Sequence, residues 1–83
     1  MKLLYFAWVR ERIGVAEEDI STPPDVKTVD NLLAWLASQS DGHAAALVDS
    51  ARLRIAVNQT YVRGDQPLND SDEIAIFPPV TGG

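Results

Sequence analysis

The sequence contains no cysteine. That excludes a disulfide framework, a thiolate nucleophile and any Cys-based metal site. Histidine occurs once, at His43, and a lone imidazole cannot build a metal site or a catalytic triad without partners. Its plain reading is a solvated loop or helix-start residue. Basic residues are few, seven against twelve acidic ones, for a net charge of −5. A nucleic-acid binder needs a basic stripe, and the one cluster along the sequence is Arg10 and Arg12 around Glu11. Neither nucleic acid nor an anionic membrane is therefore an expected partner. Long apolar runs are missing too. The run after Lys2 imitates a signal peptide, but Arg10-Glu11-Arg12 closes it without a small-residue cleavage site, and it is too short to span a bilayer. The expected location is cytoplasmic, so the glycosylation-like triplets Asn58-Gln59-Thr60 and Asn69-Asp70-Ser71 are chance matches. Gly-rich phosphate loops, internal repeats and low-complexity stretches are also absent.

What is present suits one small globular domain. The 83 residues leave no room for a second core, and a domain of this size buries only about 60% of its unfolded surface. With 46% apolar and 23% charged residues, the body of the chain has enough apolar side chains to fold. Residues 2–8 are β-rich and nearly all apolar, which predicts a strand covered on both faces. Gly14 marks a turn, and the segment Glu17 to Thr22 predicts a short second strand ended by Pro23-Pro24. Thr28 is a candidate N-cap, and Val29, Leu32, Leu33 and Leu36 follow the i, i+3, i+4, i+7 spacing of a helix that must cover a sheet. Trp35 falls on the flank of that stripe. A short helical turn is expected after Gly42. Residues 54–62 read as one strand with Ile55 and Val57 on the same face, and Gly64-Asp65 and Asn69-Asp70-Ser71 as turns. A last strand over 72–77 stops at Pro78, because proline cannot continue a ladder.

One main helix on one face of a mixed sheet is a two-layer α+β domain. The element order suits a β-grasp, the ubiquitin-like fold, with a split βαβ arrangement as its competitor. The expected division is a β-grasp domain over 1–77 and a flexible Gly-Gly tail over 78–83.

Side-chain chemistry is sparse. Glu17-Glu18-Asp19 and Asp70, Asp72, Glu73 are carboxylate clusters, but charges at strand ends of a small sheet are ordinarily solvated. No metal ligands group together. Attention therefore moves to the main chain, which runs Phe77-Pro78-Pro79-Val80-Thr81-Gly82-Gly83. Two prolines stiffen such a segment into an extended form. Gly82 and Gly83 carry no Cβ and can pass a narrow channel. Residues 78–83 reach at most about 20 Å, enough to enter a buried site on a partner.

These features resemble one family. "AVNQTYV", then "PLNDSDEIAIFPPVTGG", together with the opening "YFAWVRERIG", is similar to the MoaD-type sulfur carriers, the small subunits of molybdopterin synthase. Ser71 departs from the family's pattern, standing where a D-G-D-E turn has glycine. If that turn needs a positive φ, serine costs about 1–2 kcal/mol or changes the turn type. The resemblance implies that the carboxylate of Gly83 is adenylated with ATP by a ubiquitin-activating-like enzyme. A persulfide donor then converts it to a thiocarboxylate, and the large synthase subunit uses that sulfur to build the molybdopterin dithiolene within a heterotetramer. It implies no permanently bound cofactor and no metal. Two other readings stay open, a sulfur carrier of another pathway, such as the thiazole carrier of thiamine synthesis, and a non-conjugated ubiquitin-like interaction module.

Strand parity locates a docking face. Lys2 shares its parity with Leu4, Phe6 and Trp8, and a lysine does not point into a core, so Leu4 and Phe6 are expected on the face away from the helix. On the last strand Ile74 and Ile76 alternate with Ala75 and Phe77. Neighbouring first and last strands would set Phe6 beside Phe77. The resemblance implies that Phe6, Tyr61 and Phe77 contribute to the subunit interface.

Overall fold

Lys2 begins a strand, as its β-rich surroundings predict, but the strand stops at Tyr5. A computed structural model describes residues 1–79. In chain order it shows β1 (Lys2–Tyr5), α1 (Ala7–Ile13), β2 (Glu17–Asp19), α2 (Val29–Ala37), α3 (Asp41–Leu47), a 3₁₀ turn (Ser50–Arg52), β3 (Arg54–Val57), β4 (Thr60–Val62) and β5 (Glu73–Phe77). The five strands form one sheet in the order β2-β1-β5-β3-β4. β1 and β5 are parallel neighbours at its centre, and the remaining pairs are antiparallel. This is the β-grasp arrangement, with the first and last strands side by side as expected.

The helix α1 corrects the strand expected over 2–8. Phe6 is the extended N-cap, and Ala7 turns the chain with φ 52°. From there Ala, Arg and Glu favour helix, Val9 is fully buried, and Trp8 and Arg12, one turn apart, stack as a cation–π pair at 4.3 Å. Gly14 ends α1 in the left-handed region (φ 99°), its N–H bonding to the Arg10 carbonyl at 2.8 Å. The turn expected at Gly14 is therefore a helix C-cap.

α2 matches its expectation. Thr28 and Asn31 form a reciprocal capping box, and two further N–H groups of the first turn donate to the Gln66 and Gly64 carbonyls. Val29, Leu32, Leu33 and Leu36 are buried, each side chain worth about 1.5–3 kcal/mol, and Trp35 sits half-buried at the edge. They meet Leu3 and Tyr5 of β1, Ile74 and Ile76 of β5, and Ile55 and Val57 of β3 in one core, joined by Val9 of α1 and Ala46 and Leu47 of α3. α3 starts one residue before Gly42, capped by Ser40. A Cβ at Gly42 would lie 2.6 Å from the Arg12 carbonyl oxygen, so glycine is what lets α1 and α3 touch.

The strand expected over 54–62 is a hairpin. Asn58 and Gln59 both take positive φ (50° and 70°) and join β3 to β4 in a two-residue turn of the I′ kind. Asn58 is held by Asp72: its Nδ2 donates to Oδ1 at 2.9 Å, and its Oδ1 accepts from the Glu73 N–H at 3.0 Å. Asp72 is buried and also accepts from the Asn69 N–H, which corrects its reading as a solvated charge. The "AVNQ" and "DSDE" motifs thus clasp each other. Ser71 is not among the residues with positive φ, so serine fits this turn. Gln59 has no such anchor, and Gln59→Gly is expected to raise the denaturant midpoint at constant m. The gain should be up to about 1 kcal/mol, because relief of the left-handed penalty exceeds the entropic cost of glycine.

Candidate functional site

β5 lies mid-sheet, so the chain beyond it leaves from the centre of one sheet edge, beside the start of α1. Alternation along β5 buries Ile74 and Ile76 and leaves Ala75 and Phe77 half-buried on the opposite face. Across that face Ala75 pairs with Ala56 and with Leu4, and Ala56 with Tyr61. The small alanines make a shallow floor, and Phe6, Tyr61 and Phe77 stand around it with Gln59. Phe6 meets Phe77 edge to face at 6.2 Å between ring centroids, and Tyr61 tilts against Phe77 at 5.6 Å. Phe6 is 47% exposed and Tyr61 71%. All three residues singled out from sequence therefore share one open apolar face. Trp8, which shares their parity, does not join them, because α1 carries it to the groove at the root of the tail.

That groove is lined by Trp8, Arg12, Val48, Asp49, Arg52, Pro78 and Pro79. Pro78 and Pro79 are half-buried in it. Val80, Thr81, Gly82 and Gly83 lie outside the described residues, so the expectations for the reacting carboxylate and the flexible tail are untouched by this geometry. Among the described residues no group of His, Asp and Glu could hold a metal ion, and no helix is long and apolar enough to cross a membrane.

The model of the ThiS family matches residues 3–83. The chain belongs to the ThiS family. Within it, the chain is 49% identical to the molybdopterin synthase sulfur carrier subunit of Escherichia coli K12 over 83 residues, covering 100% of this chain and 99% of that protein. The human protein of the same name is 38% identical, with 100% of this chain and 93% of that one covered. The solved structure of SAMP1 from Haloferax volcanii superposes with a TM-score of 0.76 at 25% identity, covering 100% of this chain and 98% of that one. This ThiS-family chain is a MoaD-type sulfur carrier, as its two terminal motifs and "AVNQ" implied.

Elsewhere in this ThiS-family domain the structure gathers polar residues that the sequence reading left apart. Tyr5 Oη donates to Glu18 Oε2 at 2.5 Å, and His43 Nε2 lies 2.8 Å from the same oxygen. His43 Nδ1 is 2.6 Å from Ser40 Oγ, which also accepts the His43 main-chain N–H. His43 stands in the first turn of α3 as a helix-start residue, but it is buried rather than solvated. Glu18 is likewise drawn out of the solvated cluster assigned to it. Ser, His and Glu in sequence resemble a nucleophile relay, but Ser40 is occupied as the cap of α3, and the group fastens β1, β2 and α3 together. One alternating-parity signal was available: Tyr5 is inward on β1, and a buried hydroxyl needs a partner.

Burial disfavours the Glu18 carboxylate, but the hydrogen bonds from Tyr5 and His43 outweigh it and hold its pKa below the ordinary value. Burial, and then the bond to Glu18, push the Tyr5 hydroxyl well above its usual range. A depressed carboxyl pKa contributes stability above its unfolded value, about 4.3, and that contribution is lost as pH falls through the native value. Glu18→Gln is therefore expected to cost about 1 kcal/mol at neutral pH. The gap from wild type should close below about pH 4 in denaturant melts taken across the acid range; a constant gap would show that ionisation of Glu18 is not what stabilises the joint.

Proposed function

We propose that this chain is the sulfur-carrier subunit of a molybdopterin synthase, and that its reacting group is the carboxylate of Gly83. The observation that carries the reading is a juxtaposition. An open aromatic face made by Phe6, Tyr61 and Phe77 lies at the end of β5, the strand that leads into the Gly-Gly tail. Such a face suits a partner that grips the domain while the tail enters its active site. The end-to-end similarity to carriers named as subunits of that synthase supports this pathway over the thiazole one.

The chemistry follows from what a carboxylate lacks. It is a poor electrophile, and joining it to AMP with release of pyrophosphate supplies a leaving group. ATP is bound and spent on a ubiquitin-activating-like enzyme, not on this chain. The terminal sulfur of a persulfide donor displaces AMP, and a thiol then cleaves the remaining S–S bond, leaving a thiocarboxylate at Gly83. The large subunit receives the tail and transfers the sulfur to the forming dithiolene, and water restores the carboxylate. The domain supplies recognition and the tail supplies reach, with no metal or resident cofactor involved, in a cytoplasmic heterotetramer of two subunit types.

Intact mass tests this directly. Incubating the full chain with ATP, an activating enzyme and a persulfide donor should exchange one oxygen for one sulfur. Purified large subunit should then return the original mass as molybdopterin forms. A chain that stays unmodified while a known carrier is converted in the same mixture would overturn the reading.

A further inference from the structure

The molecule is acidic overall, yet its charge is unevenly placed. Asp19, Asp72 and Glu73 gather where β5 begins and β2 ends, around Lys2. At the other end of β5, where the tail leaves, the exposed charges are mainly arginines. Arg12 and Arg52 line the groove that holds Pro78 and Pro79. Arg54 pairs across the sheet with Phe77 and lines a second groove with Tyr61, Phe77 and Pro79. The two grooves share Pro79, so three arginines line the grooves at the root of the tail. Arg63 follows beside Arg54 at the end of β4. Nearby acids offset this only in part: Asp49 lies 3.8 Å from Arg52, and Asp30 shares a groove with Arg54 and Arg63. Arg12 is fixed over Trp8 and within reach of the Ala45 carbonyl, and among the described residues neither it nor Arg54 has a carboxylate within 4.0 Å.

We propose that Arg12, Arg52 and Arg54 form a docking collar that meets a rim of carboxylates around the opening through which the adenylating enzyme takes the tail. The proposal rests on the functional reading above and adds the chemistry of the partner's surface. The collar is continuous with the aromatic face, since Tyr61 and Phe77 line the same groove as Arg54. A partner that takes the tail and grips that face covers the collar at the same time. The nucleotide itself is not the counter-charge. Residues 80–83 extend at most about 14 Å from Pro79, and AMP joins their far end, so the arginines face the mouth of the channel and not the phosphates. A carrier with net charge −5 would be repelled by a generally acidic partner. An arginine end set against an acidic tail opposite orients the approach and raises the encounter rate. A carrier that must bind and leave in every cycle gains more from such steering than from tight binding.

The test is the association rate of the full chain with purified adenylating enzyme and ATP, by stopped flow at low and high salt. The variants are Arg12→Gln/Arg52→Gln/Arg54→Gln and the matching triple lysine chain. At low salt the glutamine variant should associate about ten-fold more slowly or worse, and the two rates should converge at high salt as screening removes the steering. The lysine variant should track wild type, because steering needs charge and not guanidinium geometry. All three positions are exposed, and the single Arg54→Gln chain, with a proportionately smaller effect, serves if the triple variant melts early. Equal rates and equal salt dependence for wild type and glutamine variant would overturn the collar, as would a lysine variant as slow as the glutamine one. Wild type that is adenylated normally in those assays keeps the functional reading; wild type that is never adenylated removes that reading itself.

Discussion

Adding one residue after Gly83 is expected to abolish adenylation and sulfur transfer while leaving the melting temperature unchanged. The two halves of this outcome have separate causes. The core closes at Ile76, the last fully buried side chain of β5, so the stability of the domain does not depend on the far end of the tail. Under the proposed function reaction does, because the carboxylate would have to meet the nucleotide at a fixed depth. One more residue shifts the terminus by about 3.5 Å, and any residue but glycine also adds a Cβ. A misplacement of even 1 Å costs about a hundredfold in a positioned reaction, so the extended chain should fall at least that far in pyrophosphate release. Deleting Gly83 shortens the reach equally and should do the same. Molybdopterin formation sustained by either variant, in an assay that wild type completes, would show that the terminus is not the reacting site.

The parts of the fold legible in the sequence are those where one periodicity acted alone. The stripe Val29, Leu32, Leu33, Leu36 has no strand interpretation, and its Thr28 cap is a local chemical signal that the structure repeats. Pro78 ends β5 because it has no N–H to donate. The pairing of Phe6 with Phe77 followed from parity and from the neighbouring first and last strands. The failures came where two signals competed. Apolar and aromatic residues from Leu3 to Val9 suit a strand, and the helix-forming Arg10-Glu11-Arg12 with a capping Gly14 pulls the second half of that run into α1. In residues 54–62 the polar pair Asn58-Gln59 breaks the alternation, and asparagine suits a left-handed turn, but the pair lacks the glycine that marks most such turns, so the β-rich residues on either side read as one strand. A residue fourteen positions away, Asp72, supplies the hydrogen bond that holds it.

The part-buried joint of Tyr5, Glu18, Ser40 and His43 was hidden for a related reason. Its partners are 25 residues apart along the chain at Glu18 and His43, and each taken singly has an ordinary surface explanation. Only the fold brings Ser40 and His43 at the start of α3 to Tyr5 of β1 and Glu18 of β2, with Tyr5 and His43 buried. The same holds for the arginines at the tail: Arg12, Arg52 and Arg54 come from three elements, and composition alone reports a deficit of basic residues. The tail motif, by contrast, lies in consecutive residues and points to the family without help from the fold.

Truncating Phe77 to alanine should weaken binding to the large synthase subunit by about 2 kcal/mol or more, roughly thirtyfold in Kd. Phe77 stands between Phe6 and Tyr61, 6.2 and 5.6 Å from their ring centres, and its removal would open the middle of the apolar face. Half-buried and on the face opposite the helices, it should cost the free domain less than the 3–5 kcal/mol of a core phenylalanine. The loss of two aromatic pairs, about 0.5–1.5 kcal/mol each in full contact, sets the scale of that cost. Tyr61→Ala is the companion. At 71% exposure Tyr61 contributes little to the folded monomer, so a loss of affinity there cannot come from unfolding. Titration calorimetry with the large subunit reads the affinities, and urea melts of the free variants read the stabilities. Affinity falling in both variants while Tyr61→Ala melts like wild type would place the partner on this face. Unchanged affinity for Tyr61→Ala and Phe77→Ala, with a collapsed melt for the latter, would instead make these rings a second small core and leave the partner to bind elsewhere.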